Sequence, residues 1–91
     1  MDVQQTKAVL AEYIATLQAR GFKPERHSDF EELSVPRTYI LEHTLWMCHE
    51  TTRLLDEEGS SAKVNRWLGF IQGALWTMGI FTINQMREHN R

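Results

Sequence analysis

The side chains able to do acid–base, nucleophilic or metal chemistry are four histidines (His27, His43, His49 and His89), one cysteine (Cys48) and twelve carboxylates. A single cysteine excludes an internal disulfide and a cysteine-based zinc site, and suits a reducing compartment. His43 and His49 are six residues apart and point in different directions on a helix. Neither has the second histidine four residues on that a helical zinc motif needs, so no metal centre is predicted. Cys48 falls on an apolar seam, where a thiol is an inert small hydrophobe. Glu42 and Glu50 could line a common side of one helix, but acid–base catalysis needs a cleft and a partner of shifted pKa. Solvated helix surface is the simpler reading of both. No glycine-rich phosphate loop, Walker motif or dinucleotide fingerprint occurs. These residues predict no catalytic group and no cofactor.

Charge is more informative than reactivity. Residues 59–91 carry Lys63, Arg66, Arg87 and Arg91 against Glu88 alone, whereas residues 1–58 hold six basic and eleven acidic side chains. Lys63, Asn65 and Arg66 open a helix, where the dipole and free N–H groups favour an anion. Arg87, His89 and Arg91 form a second basic group. Trp46, Trp67, Phe70, Trp76 and Phe81 are too many aromatics for one small core, and Trp and Arg are enriched at binding hot spots. The candidate interface or anion contacts are therefore Lys63, Arg66, Trp67, Phe70, Trp76, Arg87 and Arg91, with Arg66 beside Trp67 as the leading pair.

The elements that must position these residues are helical. Leu10, Tyr13, Ile14 and Leu17 recur at helical spacing and predict a helix over residues 3–20, ended by Gly21 and Pro24. Residues 22–33 predict an ordered loop or a short helical turn begun by Ser28 or Asp29. A second helix is predicted from Ser34 as N-cap, with Pro36 in its first turn, to about Glu57. Its expected seam is Leu41, Leu45, Cys48, Thr52 and Leu55. Asp56, Glu57 and Glu58 oppose the helix dipole and mark its end. Either Ser60 or Ser61 can cap a third helix, Ala62 to Met78, with Val64, Trp67, Leu68, Ile71, Leu75 and Met78 inward. That helix is apolar nearly all round, which predicts a central position or cover by another chain. Gly69 and Gly73 predict close approach of another helix. Thr82 and Gln85 match a capping box that starts a short last helix to about His89.

The fold expected is all-α, a compact bundle of three main helices plus a short C-terminal helix, in one domain spanning residues 1–91. A length of 91 residues leaves room for one core only, and 42% hydrophobic with 24% charged residues is globular rather than disordered. A net charge of −2 removes the strongly basic signature of non-specific nucleic-acid binding. The absence of a long apolar run or leader-like pattern argues for a soluble cytoplasmic protein and against membrane spanning.

The segment KVNRWLGFIQGALWTMGIFTINQMREHNR, Lys63 to Arg91, resembles the C-terminal signature of small proteins encoded by tailed bacteriophages and prophages. The stretch LEHTLWMCHE, Leu41 to Glu50, is similar to the segment often upstream of it. The resemblance implies a phage accessory protein in the cytoplasm of an infected bacterium, and carries no catalytic residue with it. The leading expectation is a self-associating, non-enzymatic protein that binds a host or phage protein and inhibits host metabolism or an antiviral defence. One alternative is sequestration of a small anionic, nucleotide-like ligand by Lys63 and Arg66. Another is a nucleic-acid-associated regulator using the basic C-terminal third. An enzyme ranks last.

Overall fold

Asp2 begins the fold with a reciprocal cap: its side chain accepts the Gln5 N–H, and the Gln5 side chain accepts the Asp2 N–H. A computed structural model describes residues 1–27 and 34–91, and places four helices in it. They are α1 (Val3–Ala19), α2 (Arg37–Leu54), α3 (Ser61–Thr77) and α4 (Ile83–His89), with no strand among the described residues. The all-α bundle of three long helices and a short fourth is the architecture expected from apolar periodicity. The turn expected at Ser28 or Asp29 lies outside the described residues.

Element boundaries follow local chemistry. The backbone at Gly21 and Gly79 turns to φ of +91° and +75°, conformations that a side chain would strain, which ends α1 and α3 there. Thr82 and Gln85 form the expected capping box of α4. The start of α2 differs from expectation. Pro36, not Ser34, is the residue before the helix, with extended ψ of 143° and no side-chain cap. A proline biases the residue before it away from helical geometry, so Val35 cannot be helical and α2 waits until Arg37. Ser60 precedes α3 but its hydroxyl donates backwards to the Leu54 and Glu57 carbonyls, closing the turn after α2 rather than capping α3.

The middle helix is α2, packed against both α1 and α3. Its buried residues are Leu41, Thr44, Leu45, Met47, Cys48, Thr51 and Leu54. The expected seam fails at Thr52 and Leu55, which are partly exposed while Thr51 and Leu54 take the buried positions. A helix contacted from two sides needs a broad face, and a narrow 3.5-residue stripe describes contact from one side only. From α1 the core receives Val9, Leu10, Tyr13 and Leu17; from α3 it receives Leu68, Ile71 and Leu75. Phe81 and Met86 close the end under α4. Arg37 joins the ends of α2 and α3 by donating to the Met78 carbonyl at 2.7 Å.

Candidate functional site

The helix expected to be most covered, α3, is open on one side. Its inward residues Val64, Leu68, Ile71 and Leu75 are buried, while Phe70 and Trp76 are 60% and 53% exposed. Arg66, Gly69, Phe70, Gly73 and Trp76 follow at helical spacing and share the outward face. A Cβ added at Gly69 or Gly73 meets nothing within 4 Å, so the close helix–helix approach expected there does not occur among the described residues. The two glycines instead form a shallow, backbone-lined strip between two exposed aromatic rings.

Lys63, not Arg66, is the cation on Trp67. Its Nζ lies 5.0 Å from the indole ring, because residues four apart stack along one side of a helix. Arg66 is about 100° further round and sits on the exposed face with Phe70. Trp67 leans on Trp46 of α2 at 6.0 Å between rings, and Arg26 covers Trp46 at 5.3 Å. Trp67 is thereby half-buried within the fold. Among the described residues, Lys63, Arg66 and Arg87 pair with no carboxylate, whereas Arg91, just past the end of α4, meets Glu88 at 3.4 Å.

The second basic group does not join the first. Asn90 exchanges two hydrogen bonds with Gln72, and Gln5 donates to the Arg91 carbonyl at 3.3 Å. At 1.5 Å per residue, Gln72 lies about 14 Å along α3 from Lys63. Beside this C-terminal anchor, Tyr13 Oη accepts from Gln72 at 2.9 Å and lies 2.8 Å from His89 Nδ1. His89 Nε2 is 3.7 Å from Glu12 Oε2. A carboxylate, an imidazole and a phenol in sequence have the form of a proton relay, but Tyr13 is fully buried and burial pushes its pKa up to about 12. Cys48 is likewise buried, and desolvation drives its thiol up to about 12. Neither is a nucleophile near neutral pH. An open cleft of about 290 Å³ between α1 and α4 exposes Glu12 and His89, flanked by Gln5, Glu88 and Arg91.

A third cluster joins residues that no spacing rule connects. Glu25, His27 and Glu42 bring one ligand-type atom each to within 4.8 Å of one another. His27 Nε2 is 3.4 Å from Glu42 Oε1, and the His27 ring stacks on Tyr39 at 4.3 Å with only 7° between planes. The Glu25 N–H donates to the Glu42 carbonyl at 3.2 Å, and the His27 N–H donates to His43 Nδ1 at 3.1 Å. Burial, with His27 and Arg26 nearby, holds His43 below its ordinary pKa, consistent with a neutral, accepting ring. Glu25 and His27 lie two residues apart in the non-helical segment after α1, and no helical spacing links them to Glu42.

No family model, curated protein or solved structure matches this chain.

Proposed function

We propose that this chain is a small accessory protein that acts by binding rather than catalysis, and that it self-associates through the outer face of α3. The observation that carries this reading is the exposure of Phe70 and Trp76 on the same face as Gly69 and Gly73. Large aromatics left in water beside a bare backbone strip describe a surface built for contact.

A second copy of the chain fits that surface. Antiparallel pairing of two α3 helices that sets Gly69 against Gly73 also sets Arg66 against Trp76, at both ends of the contact. Each guanidinium then gains an aromatic face, an attraction of about 0.5–2 kcal/mol. The two Arg66 side chains lie about 15 Å apart along the axis, beyond the Debye length of about 8 Å at physiological salt. No acidic side chain lies on α3 to disturb the pairing. The resemblance of Lys63–Arg91 to phage accessory proteins supports an assembly that binds a host or phage protein in an infected bacterium and blocks it sterically.

Light scattering over a concentration series tests self-association. A rise above the 10.7 kDa monomer, abolished by Phe70→Glu with the melting temperature retained, is the expected result. A 10.7 kDa species alone at high concentration sinks it.

The unpaired cations favour a second reading, in which Lys63 and Arg66 hold a small anionic, nucleotide-like ligand between copies. Calorimetric titration with a panel of nucleotides decides it. Binding lost in Lys63→Ala with Arg66→Ala supports this reading, and no heat from any member removes it.

A further inference from the structure

We propose that Glu25, His27 and Glu42 form a binding site for one divalent transition-metal ion of the Zn²⁺ type. The site is independent of the α3 face. Its donor set is one imidazole and two carboxylates, whose two negative charges balance a divalent cation. Zinc bonds to nitrogen and carboxylate oxygen run near 2.0–2.2 Å, and a tetrahedron with bonds of about 2.1 Å has an edge of about 3.4 Å. The His27 Nε2 to Glu42 Oε1 separation is 3.4 Å. Octahedral neighbours at the same bond length are about 3.0 Å apart, and Ca²⁺ needs six or more oxygen ligands. The imidazole selects a nitrogen-and-oxygen site of the zinc type over an all-oxygen calcium site.

The His27 ring and the backbone on either side of it are held in place before any ion arrives. Stacking on Tyr39 fixes the plane of the His27 ring. The backbone bonds from Glu25 to Glu42 and from His27 to His43 pin both flanks of the segment to α2. His27 Nε2 is buried yet makes no aligned hydrogen bond among the described residues, despite its closeness to Glu42. A buried ring nitrogen aimed at a carboxylate without bonding to it is left unsatisfied by an ion pair alone and satisfied by a shared cation. Glu25 is exposed and free to rotate inward as the third ligand, with water at the fourth position. Arg26, the neighbouring cation, is held over the Trp46 ring. The ion would clamp residues 22–27 onto α2, coupling metal binding to stability.

The test is titration of the chelator-stripped full chain with Co²⁺, then displacement by Zn²⁺. One equivalent should give the intense visible absorption of four-coordinate Co²⁺, bleached by Zn²⁺, and saturating Zn²⁺ should raise the melting temperature by roughly 5–10 °C. His27→Ala and, more conservatively, Glu42→Gln should weaken uptake by roughly tenfold or more, while His49→Ala should leave it unchanged. Absence of saturable uptake, or uptake unaffected by Glu42→Gln with circular dichroism intact, overturns the proposal.

Discussion

Tyr13 Oη and His89 Nδ1, 76 residues apart in the chain, meet at 2.8 Å beneath α4. With Gln72 donating to the phenol, the Tyr13 hydroxyl faces both His89 Nδ1 and Met86 Sδ, while the other His89 ring nitrogen faces Glu12. The bond is the latch between the first helix and the last. Its ring also lies against Phe81 at 5.2 Å, so the latch is half polar and half apolar.

Replacing Tyr13 by Phe retains the ring and removes the latch. It leaves the Gln72 amide and His89 Nδ1 short of a partner and should destabilise the fold by about 1–3 kcal/mol. Hydrogen exchange of residues 83–89 should speed up more than that of α2. Unchanged protection in α4 would show that apolar packing alone holds it.

Alkaline pH should weaken the fold from the ordinary cysteine and tyrosine pKa values upward, because both groups resist ionising while buried. Tyr13 rises from 10.0 to about 12 and Cys48 from 9.0 to about 12, both chiefly through burial. A raised folded pKa means that the native state favours the neutral form. The stability is fully present below pH 9 for Cys48 and below pH 10 for Tyr13, and is lost as pH climbs towards 12. Two units at Tyr13 correspond to about 2–3 kcal/mol. Urea midpoints measured from pH 8 upward should fall through this window, and a flat profile contradicts it. His43 acts on the acid side: its lowered pKa favours the neutral ring in the fold, so its contribution is present above 6.5 and is lost as pH falls below that.

Gly69→Ala and Gly73→Ala should move two measurements in opposite directions. Both sites are helical with open space beyond the backbone, so each alanine should stabilise the monomer by about 1 kcal/mol. In a glycine-to-glycine pairing of α3 helices, the same methyl groups hold the partners apart. The melting temperature of dilute protein should rise while the dissociation constant of the assembly rises roughly tenfold, a loss of about 1.4 kcal/mol. Higher stability with unchanged association places the contact elsewhere.

Thr51→Val should stabilise the protein. Thr51 is fully buried and its hydroxyl has no partner among the described residues, whereas Thr44 and Thr52 bond the carbonyls four residues back. Valine keeps the branched shape and removes the unsatisfied group, for a gain of about 1 kcal/mol seen in the denaturant midpoint. A loss would mean that the hydroxyl is satisfied in solution.

Helix number, the extents of α1, α3 and α4, and most of the buried sides of α1 and α3 were legible in residue order, because periodicity, capping boxes and glycine turns act over three or four residues. Thr82 with Gln85 was readable in this way, and Asp2 with Gln5 carries the same pattern. The lone cysteine and the division of charge between residues 1–58 and 59–91 were equally settled by residue order. Tertiary structure decided what depends on neighbours distant in the chain. Only packing made α2 the middle helix, which shifted its buried set to Thr51 and Leu54 and left Phe70 and Trp76 of α3 in water. Only packing laid the non-helical segment carrying Glu25 and His27, seventeen and fifteen residues before Glu42, along α2, and closed Tyr13 onto His89. Local rules describe what one helix does to its own residues; a shared site forms where two segments meet, and the core fixes where that is.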